Sequence, residues 1–394
     1  MNETIMRSVW DESVRQTRQL IESWTNHGVA SAADDMRTVS LNVLAAIGFR
    51  RSFEFKSSTA EPSTVGKDGR FSYRDALQIV LDKAILILMI PRKHLKYSWL
   101  PASIQRVGKA AEDFAIHMQE MVNGEMATLN QGNKGSGSLI TAFVKALDVH
   151  QKDRTKGMSV EEILGNLFVI NFAGHDTTAN TLAFATLFLT AYPEVQEWVA
   201  DEVRRVFKDV QDENWDYSSL FPQLVRCRAV MLETLRLCPP IMSLPKWTHA
   251  QPQTIKVGPQ SITIPPKTTT LSTILAVHTH PEFWTSPQSW TPARWIVTDP
   301  SGSESLLTPR RNTYMPWSDG PQNCPGIKFS QVEFVAIMAC LLLRHRIDGI
   351  RENGESVTEM TKRVRSVIDD CNQEILLKMN DPDRAKIALI KTVS

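Results

Sequence analysis

The residue whose type and setting point most directly to chemistry is Cys324. It stands in Trp317–Gly326, Trp-Ser-Asp-Gly-Pro-Gln-Asn-Cys-Pro-Gly, an irregular stretch with two Gly and two Pro around one thiol. The apolar-periodic segment Ile327–Leu343 follows and reads as a helix, so Cys324 lies at or just before a helix N-terminus. Free backbone N–H groups and the positive end of the helix dipole stabilise a thiolate there. Gly320 and Gly326 let the backbone approach a flat or bulky group. A thiolate held on a loop in an apolar setting suits a soft metal, haem iron being one option. Taken alone, the same pattern also describes a buried Cys packed as a small hydrophobe.

A second unusual stretch is Ala173-Gly174-His175-Asp176-Thr177-Thr178. It sits in the middle of Ser159–Ala191, the longest helix the pattern predicts, roughly 50 Å at ~1.5 Å per residue. Ser159 and Glu162 form a capping box at its start, and Pro193 marks its end. The helix is apolar nearly all round, from Leu164 to Leu189, and is expected at the centre of the molecule. A Gly and adjacent hydroxyls are poor helix formers there, and such local conflicts mark functional or strained sites.

The elements that must position these residues follow in order. Helices are expected over Ser8–Thr25, Ala33–Phe49, Tyr73–Ile90, Pro101–Leu129 and Leu139–Leu147, with polar loops at Ser57–Arg70 and Asn130–Ser138. After the long central helix come Glu194–Phe207 and Gln223–Leu237, the second closed by Pro239-Pro240. The latter carries Glu233 and Arg236, an i,i+3 pair that on its own reads as solvated. Thr254–Val257 and Ser261–Ile264 flank Gly258-Pro259 as a hairpin, with a further strand at Thr268–Ser272 and a helical turn at Val277–Phe283. Trp284–Met315 has no clear periodicity; loops of this length inside a domain are functional or pinned by specific contacts. His278 and His280, flanking Pro281, read as packing or hydrogen-bonding groups. The Ile327 helix ends near Arg346, and Glu374–Met379 and Ile387–Ile390 read as short strands.

Whole-chain numbers narrow the classes. The chain has 394 residues, 42% hydrophobic and 22% charged, as in an ordinary globular protein. The net charge is +1 (44 basic against 43 acidic residues), so nothing argues for nucleic acid. Five scattered Cys form no disulfide framework and fit a reducing compartment. No apolar run approaches the ~20 residues of a membrane span, and neither a signal peptide nor an anchor is recognisable.

Four motifs occur in order: Ala173–Thr178, Glu233-Thr-Leu-Arg236, Trp290-Thr-Pro-Ala-Arg294-Trp295 and Trp317–Gly326. The gaps are 56 residues from Thr177 to Glu233, 58 from Arg236 to Arg294 and 30 from Arg294 to Cys324. Together they resemble the cytochrome P450 family of haem-thiolate monooxygenases over essentially the whole chain, and eukaryotic microsomal members, fungal ones most closely. The resemblance implies one mainly α domain, 1–394, with small β sheets and haem b between the Ser159–Ala191 helix and the Cys324 loop. It implies Cys324 as the axial thiolate of the iron, with Trp317, Gly320, Gln322 and Gly326 shaping its loop. Glu233, Arg236 and Arg294 match the family's structural triad, which would pin the long irregular segment. Gly174 and the Thr177 hydroxyl would open a small groove over the iron for dioxygen, Thr177 would then hydrogen-bond it, Asp176 would relay protons from solvent, and Ala173 would lie beside the cofactor. Lys246 would face a haem propionate; a solvated Lys is the other reading. His175 matches a variable position rather than a second axial ligand.

The implied reaction inserts one oxygen atom from O2 into a small apolar organic substrate, such as those of secondary metabolism. Electrons would come from NADPH through a separate cytochrome P450 reductase docking near Arg310, Arg311, Lys328 and Arg344. The family works at the cytosolic face of the endoplasmic reticulum, and a monomer is expected. Two departures stand out. Gln322 occupies the position of the usual Arg or His two residues before the Cys, and Trp317 that of the usual Phe. The chain also reads as starting after the family's anchor, first helices and much of its first sheet, without the Trp-x-x-x-Arg that holds a propionate. An inactive or haem-free truncated remnant is therefore the alternative expectation.

Overall fold

Helix α1 (Glu3–His27) shows how local pattern becomes packing. Met6, Val9, Trp10, Leu20 and Trp24 are all buried along it, and two of its indoles also find polar partners. Trp10 Nε1 donates to Trp215 O at 2.8 Å and Trp24 Nε1 to Asp35 Oδ2 at 2.7 Å. A buried indole keeps its apolar area in the core while its N–H stays satisfied. The structure is a computed structural model. It describes residues 3–58, 69–91, 94–95, 97–132, 138–148, 158–211 and 214–392. The loop residues expected around Pro62 and Gly66, and much of Asn130–Ser138, lie outside these.

In chain order the helices after α1 are α2 (Ala32–Phe49), α3 (Tyr73–Asp82), α4 (Ala84–Met89), α5 (Ala102–Asn130), α6 (Leu139–Asp148) and α7 (Val160–Ala191). Then come α8 (Pro193–Val206), α9 (Tyr217–Leu220), α10 (Val225–Leu237), α11 (Ile274–His278), α12 (Ile327–Arg344) and α13 (Val357–Asp369). The strands pair only as antiparallel two-stranded sheets among the described residues. They are β1 (Ser243–Trp247) with β4 (Thr269–Thr273), β2 (Gln253–Val257) with β3 (Gln260–Ile264), and β5 (Ile296–Thr298) with β6 (Glu304–Leu306). The remaining pairs are β7 (His345–Gly349) with β10 (Ile387–Lys391), and β8 (Cys371–Gln373) with β9 (Leu377–Met379). Mainly helix with small sheets is the expected fold class.

The chain packs as two compact units. The first is Met1–Ser40 with Thr177–Ser394, and α12 lies at its centre. Phe329, Val332 and every residue from Glu333 to Leu342 are buried, so α12 has no solvent face over that stretch. α1, α8 and α10 pack on it. The second unit is Leu41–Asp176. Its core joins Leu41, Phe49, Tyr73, Leu77, Phe114, Met118, Ile163 and Leu167 from α2, α3, α5 and α7.

Several expectations need correction. Tyr73–Ile90 is not one helix: Lys83 leaves helical angles (φ −118°, ψ 28°) and separates α3 from α4. Its N–H still reaches Ile79 O, and Ile87 N reaches Lys83 O, so the break leaves those donors satisfied. Glu374–Met379 is not one strand; Glu374–Leu376 turn between β8 and β9. α7 is buried through its second half, but Val169 in its first half is 57% exposed. β1, β7 and α13 were not anticipated, although Ser356 and Glu359 form a capping box at the start of α13 that the spacing encodes.

Two glycines of α5 test the packing of the second unit. A Cβ at Gly108 would meet the backbone oxygen of Leu95 at 2.8 Å and its Cβ at 2.9 Å, whereas one at Gly124 would meet nothing within 4 Å. Ala gains about 1 kcal/mol over Gly in a helix, and an overpacked contact costs about 1–3 kcal/mol. Gly124→Ala is expected to raise the urea midpoint and Gly108→Ala to lower it. Equal shifts for both would contradict the close approach of α5 to Leu95.

Candidate functional site

Glu233 on α10 is fully buried, and its carboxylate collects five donors. Arg236 gives Nε to Oε2 and Nη2 to Oε1, both at 2.9 Å, a bidentate fork within one turn of helix. Arg294 Nε donates to Oε1 at 3.0 Å, Thr291 N to Oε1 at 2.8 Å and Trp295 Nε1 to Oε2 at 2.9 Å. The i,i+3 spacing on α10 reads as a solvated pair, but both side chains are 0% exposed. The partner motif Trp290–Trp295 makes the difference, because it closes over them.

Arg236 carries the arrangement outward. Its guanidinium donates to the carbonyls of His278 (2.9 Å), Pro287 (2.6 Å) and Ser289 (3.0 Å), and lies over the Trp284 ring at 5.3 Å. Arg294 donates to the Thr285, Ser286 and Ser289 carbonyls. Two cations thereby hold the carbonyls of a segment that has no ladder of its own. His278 is fully buried at the end of α11, and its Nε2 accepts from Met315 N at 2.8 Å. Burial pushes its pKa down to about 4, so the ring stays neutral and keeps that acceptor. Tyr314 stacks on His278, meets Trp317 edge-on, and donates to Leu232 O at 2.9 Å.

The Cys324 loop begins there. Ser318 N bonds Met315 O at 3.1 Å, and Cys324 N bonds Trp317 O at 2.9 Å, which closes the loop on itself. Ser318 (φ 66°) and Gly320 (φ 86°) occupy the left-handed region that this tight path demands. Trp317 Nε1 donates to Ser330 Oγ at 3.3 Å, fastening the loop to the first turn of α12. Cys324 is exposed, unlike Cys227, Cys238 and Cys340, which are buried. Its Sγ accepts Gly326 N at 3.3 Å. An N–H aimed at a ligand sulfur tempers its donor strength. An accessible sulfur on a rigid loop fits the single ligand of a soft metal whose other positions a prosthetic group supplies. The packed-hydrophobe reading of Cys324 is excluded by its exposure.

The remaining predicted residues take these places. Gln322 and Lys246 are exposed, Lys246 on β1 opposite Thr270. Asp176 is buried and Thr177 half-buried on α7, with Thr177 O accepting Thr181 Oγ1 at 2.9 Å. Ala173 is exposed, and a Cβ at Gly174 would meet Leu44 Cδ2 at 3.1 Å. Glu233 is in direct contact with both Arg236 and Arg294. His278 packs and hydrogen-bonds as its setting suggested, its partner being Met315 N. The role of Ser330 as the anchor of Trp317 was not foreseen, because no spacing signal links the two.

A family model described as Cytochrome P450 matches residues 2–368. A phomenoic acid biosynthesis cluster cytochrome P450 monooxygenase of Leptosphaeria maculans is 27% identical over 395 residues, covering 91% of this chain and 66% of its own length. A cytochrome P450 monooxygenase of Penicillium rubens is 27% identical, covering 86% of this chain and 62% of its own length. The chain thus spans about two thirds of the length of such relatives. Among solved structures, a cytochrome P450, CYP102L1, superposes with a TM-score of 0.72 at 18% identity, covering 98% of this chain and 78% of its own.

The buried carboxylate gives a direct test. Glu233→Gln leaves Arg236 with no anion in a site without water access. Breaking a buried pair this way costs about 3–5 kcal/mol. The variant is expected to lose that much in urea unfolding and to become sensitive to proteolysis within 284–317. A loss below about 1 kcal/mol would show that the carbonyl contacts alone hold the segment.

Proposed function

The chain belongs to the cytochrome P450 family, and on that premise we propose that it is a haem-thiolate monooxygenase acting on a small apolar organic substrate. It inserts one atom of O2 into the substrate; the other leaves as water, with two electrons from NADPH delivered through a cytochrome P450 reductase. The observation that carries this reading is the accessible Cys324 sulfur, hydrogen-bonded by Gly326 N and held on a loop fastened to Ser330.

Cys324 is the proposed iron ligand of haem b, and Trp317, Gly320, Gln322 and Gly326 give its loop the shape that presents the sulfur. When bound, haem supplies the iron on which dioxygen is activated, with the thiolate pushing electron density toward it. Lys246 and Gln322, both exposed, are the proposed propionate partners; Gln322 offers a hydrogen bond without charge. On α7, Ala173 and Gly174 are the proposed small residues beside the dioxygen site, and Leu44 packs within 3.1 Å of where a Gly174 Cβ would lie. The Thr177 hydroxyl holds a proton near the reacting oxygen, and Asp176 passes protons to it from solvent. Arg310, Arg311, Lys328 and Arg344 are exposed cations for an acidic reductase surface. Glu233, Arg236 and Arg294 act through the loop they hold rather than on any reacting atom. We place the protein as a monomer at the cytosolic face of the endoplasmic reticulum. Among the described residues no helix is long and apolar enough to cross a membrane.

The reading is tested by a reduced, carbon-monoxide difference spectrum of the chain supplied with haem. The red-shifted Soret band of thiolate ligation is expected, and Cys324→Ser is expected to abolish it with the far-UV circular dichroism unchanged. Asp176→Asn is expected to keep the band while slowing substrate turnover about 10²-fold or more. No haem uptake by the folded chain would favour a haem-free remnant instead.

A further inference from the structure

Among the described residues, several acids that the preceding chemistry leaves unused are buried in the core, and Asp35 and Glu202 accept hydrogen bonds there whereas Glu333 does not. Glu333 lies on α12, nine residues after Cys324, and is 0% exposed. Neither of its carboxyl oxygens has a hydrogen-bond partner. The Ser40 hydroxyl, at the α2 end of the same unit, is also buried without a hydrogen bond, yet lies close enough to act on the Glu333 carboxyl. A lone carboxylate in such a place costs several kcal/mol. A neutral acid in contact with one hydroxyl costs far less. We infer that Glu333 is a positioning residue, a neutral acid that seats α12 against α2 through Ser40 and so fixes the helix from which the Cys324 loop hangs.

The surroundings agree. α1, which packs on α12, buries no charged residue, and the buried charged groups on α2, α8 and α10 are engaged elsewhere. Glu202 on α8 accepts Arg226 N and Cys227 N, and Cys227 is a fully buried thiol. Glu233 and Arg236 on α10 bind each other, and Asp35 on α2 binds Trp24. Only burial and Ser40 act on the ionisation of Glu333: burial raises it to about 8 and Ser40 opposes the rise. The folded state therefore keeps a proton that the unfolded chain loses above its ordinary value of 4.5. Stability from this group is full below about pH 4.5, falls as pH rises, and is exhausted once pH passes the folded value. The hinge of the effect is α12 itself, because its N-terminus carries Gly326 and Cys324.

The inference rests on the haem-thiolate reading only for its second readout. The first is the melting temperature of the full chain as isolated, followed from about pH 5 to pH 9. The wild type is expected to lose several degrees more than Glu333→Gln across that range. The amide stays neutral, and the two proteins converge at the acid end. Ser40→Ala, which removes the opposing hydroxyl, is expected to move the wild-type transition to higher pH, and serves where Glu333→Gln does not fold. The second readout is the thiolate Soret band, expected to decay over the same alkaline range in wild type and to persist in Glu333→Gln. Parallel pH curves for wild type and Glu333→Gln overturn the inference, as does a transition that Ser40→Ala leaves in place. Absence of the band in every variant, with the melting curves as expected, strikes at the haem reading alone.

Discussion

The ion pair between Glu233 and Arg236 is the constraint on which the first unit depends. Two opposite charges with no solvent exposure are tolerable only if each lone pair and each N–H is used. Both conditions hold, and meeting them determines where other parts of the chain go. The carboxylate's spare capacity is taken by Thr291 N, Arg294 and Trp295, and the guanidinium's by the carbonyls of His278, Pro287 and Ser289. A segment without regular structure is thus ordered by side chains standing in for the ladder that strands would provide. An apolar pair at these positions would pack, but it would specify no path for residues 284–317.

From that pair a continuous line of bonds reaches the sulfur. Arg236 holds the His278 carbonyl, His278 accepts Met315 N, Met315 O accepts Ser318 N, and Trp317 O accepts Cys324 N. Each link is short and each is buried or part-buried until the last. The arrangement separates two requirements that conflict locally. The thiol must be open to whatever it binds, so it cannot be packed. The loop must be rigid, or the sulfur would sample many positions and lose the benefit of orientation. Rigidity is therefore supplied from behind, by the ion-pair cluster and by Ser330 in the first turn of α12.

Much of this was legible in the sequence, and the pattern of what was not is physical. Long helices were readable because periodicity accumulates over many turns, as in α5 and α7. The capping box at Ser159 and Glu162 set a start that the backbone bonds reproduce. The β2–β3 hairpin, β4 and β10 were readable too, but β1 contains Pro245 and β7 follows α12 without a breaker, so neither carries a signal. The break at Lys83 escaped because no Gly or Pro marks it. Within the site, motif residues were identifiable singly. That Glu233 and Arg236 are desolvated could not be read from their spacing. It follows from Trp290, Trp295 and Trp284 closing over them, across more than fifty residues of chain.

The position of α12 makes the sulfur's environment a property of the whole first unit rather than of one loop. A helix buried on every side from Glu333 to Leu342 cannot shift without disturbing α1, α8 and α10 at once. Its N-terminal turn is the half-exposed part, where Gly326 N turns toward Cys324 Sγ instead of entering the helical ladder. The helix therefore spends one of its otherwise unsatisfied N-terminal donors on the thiol. Because that donor is a backbone group on a helix whose remainder is immobilised, its aim at the sulfur is set by core packing. Side-chain substitutions in the loop that spare the backbone path should leave the aim intact, whereas changes deep in α12 reach it through the helix axis.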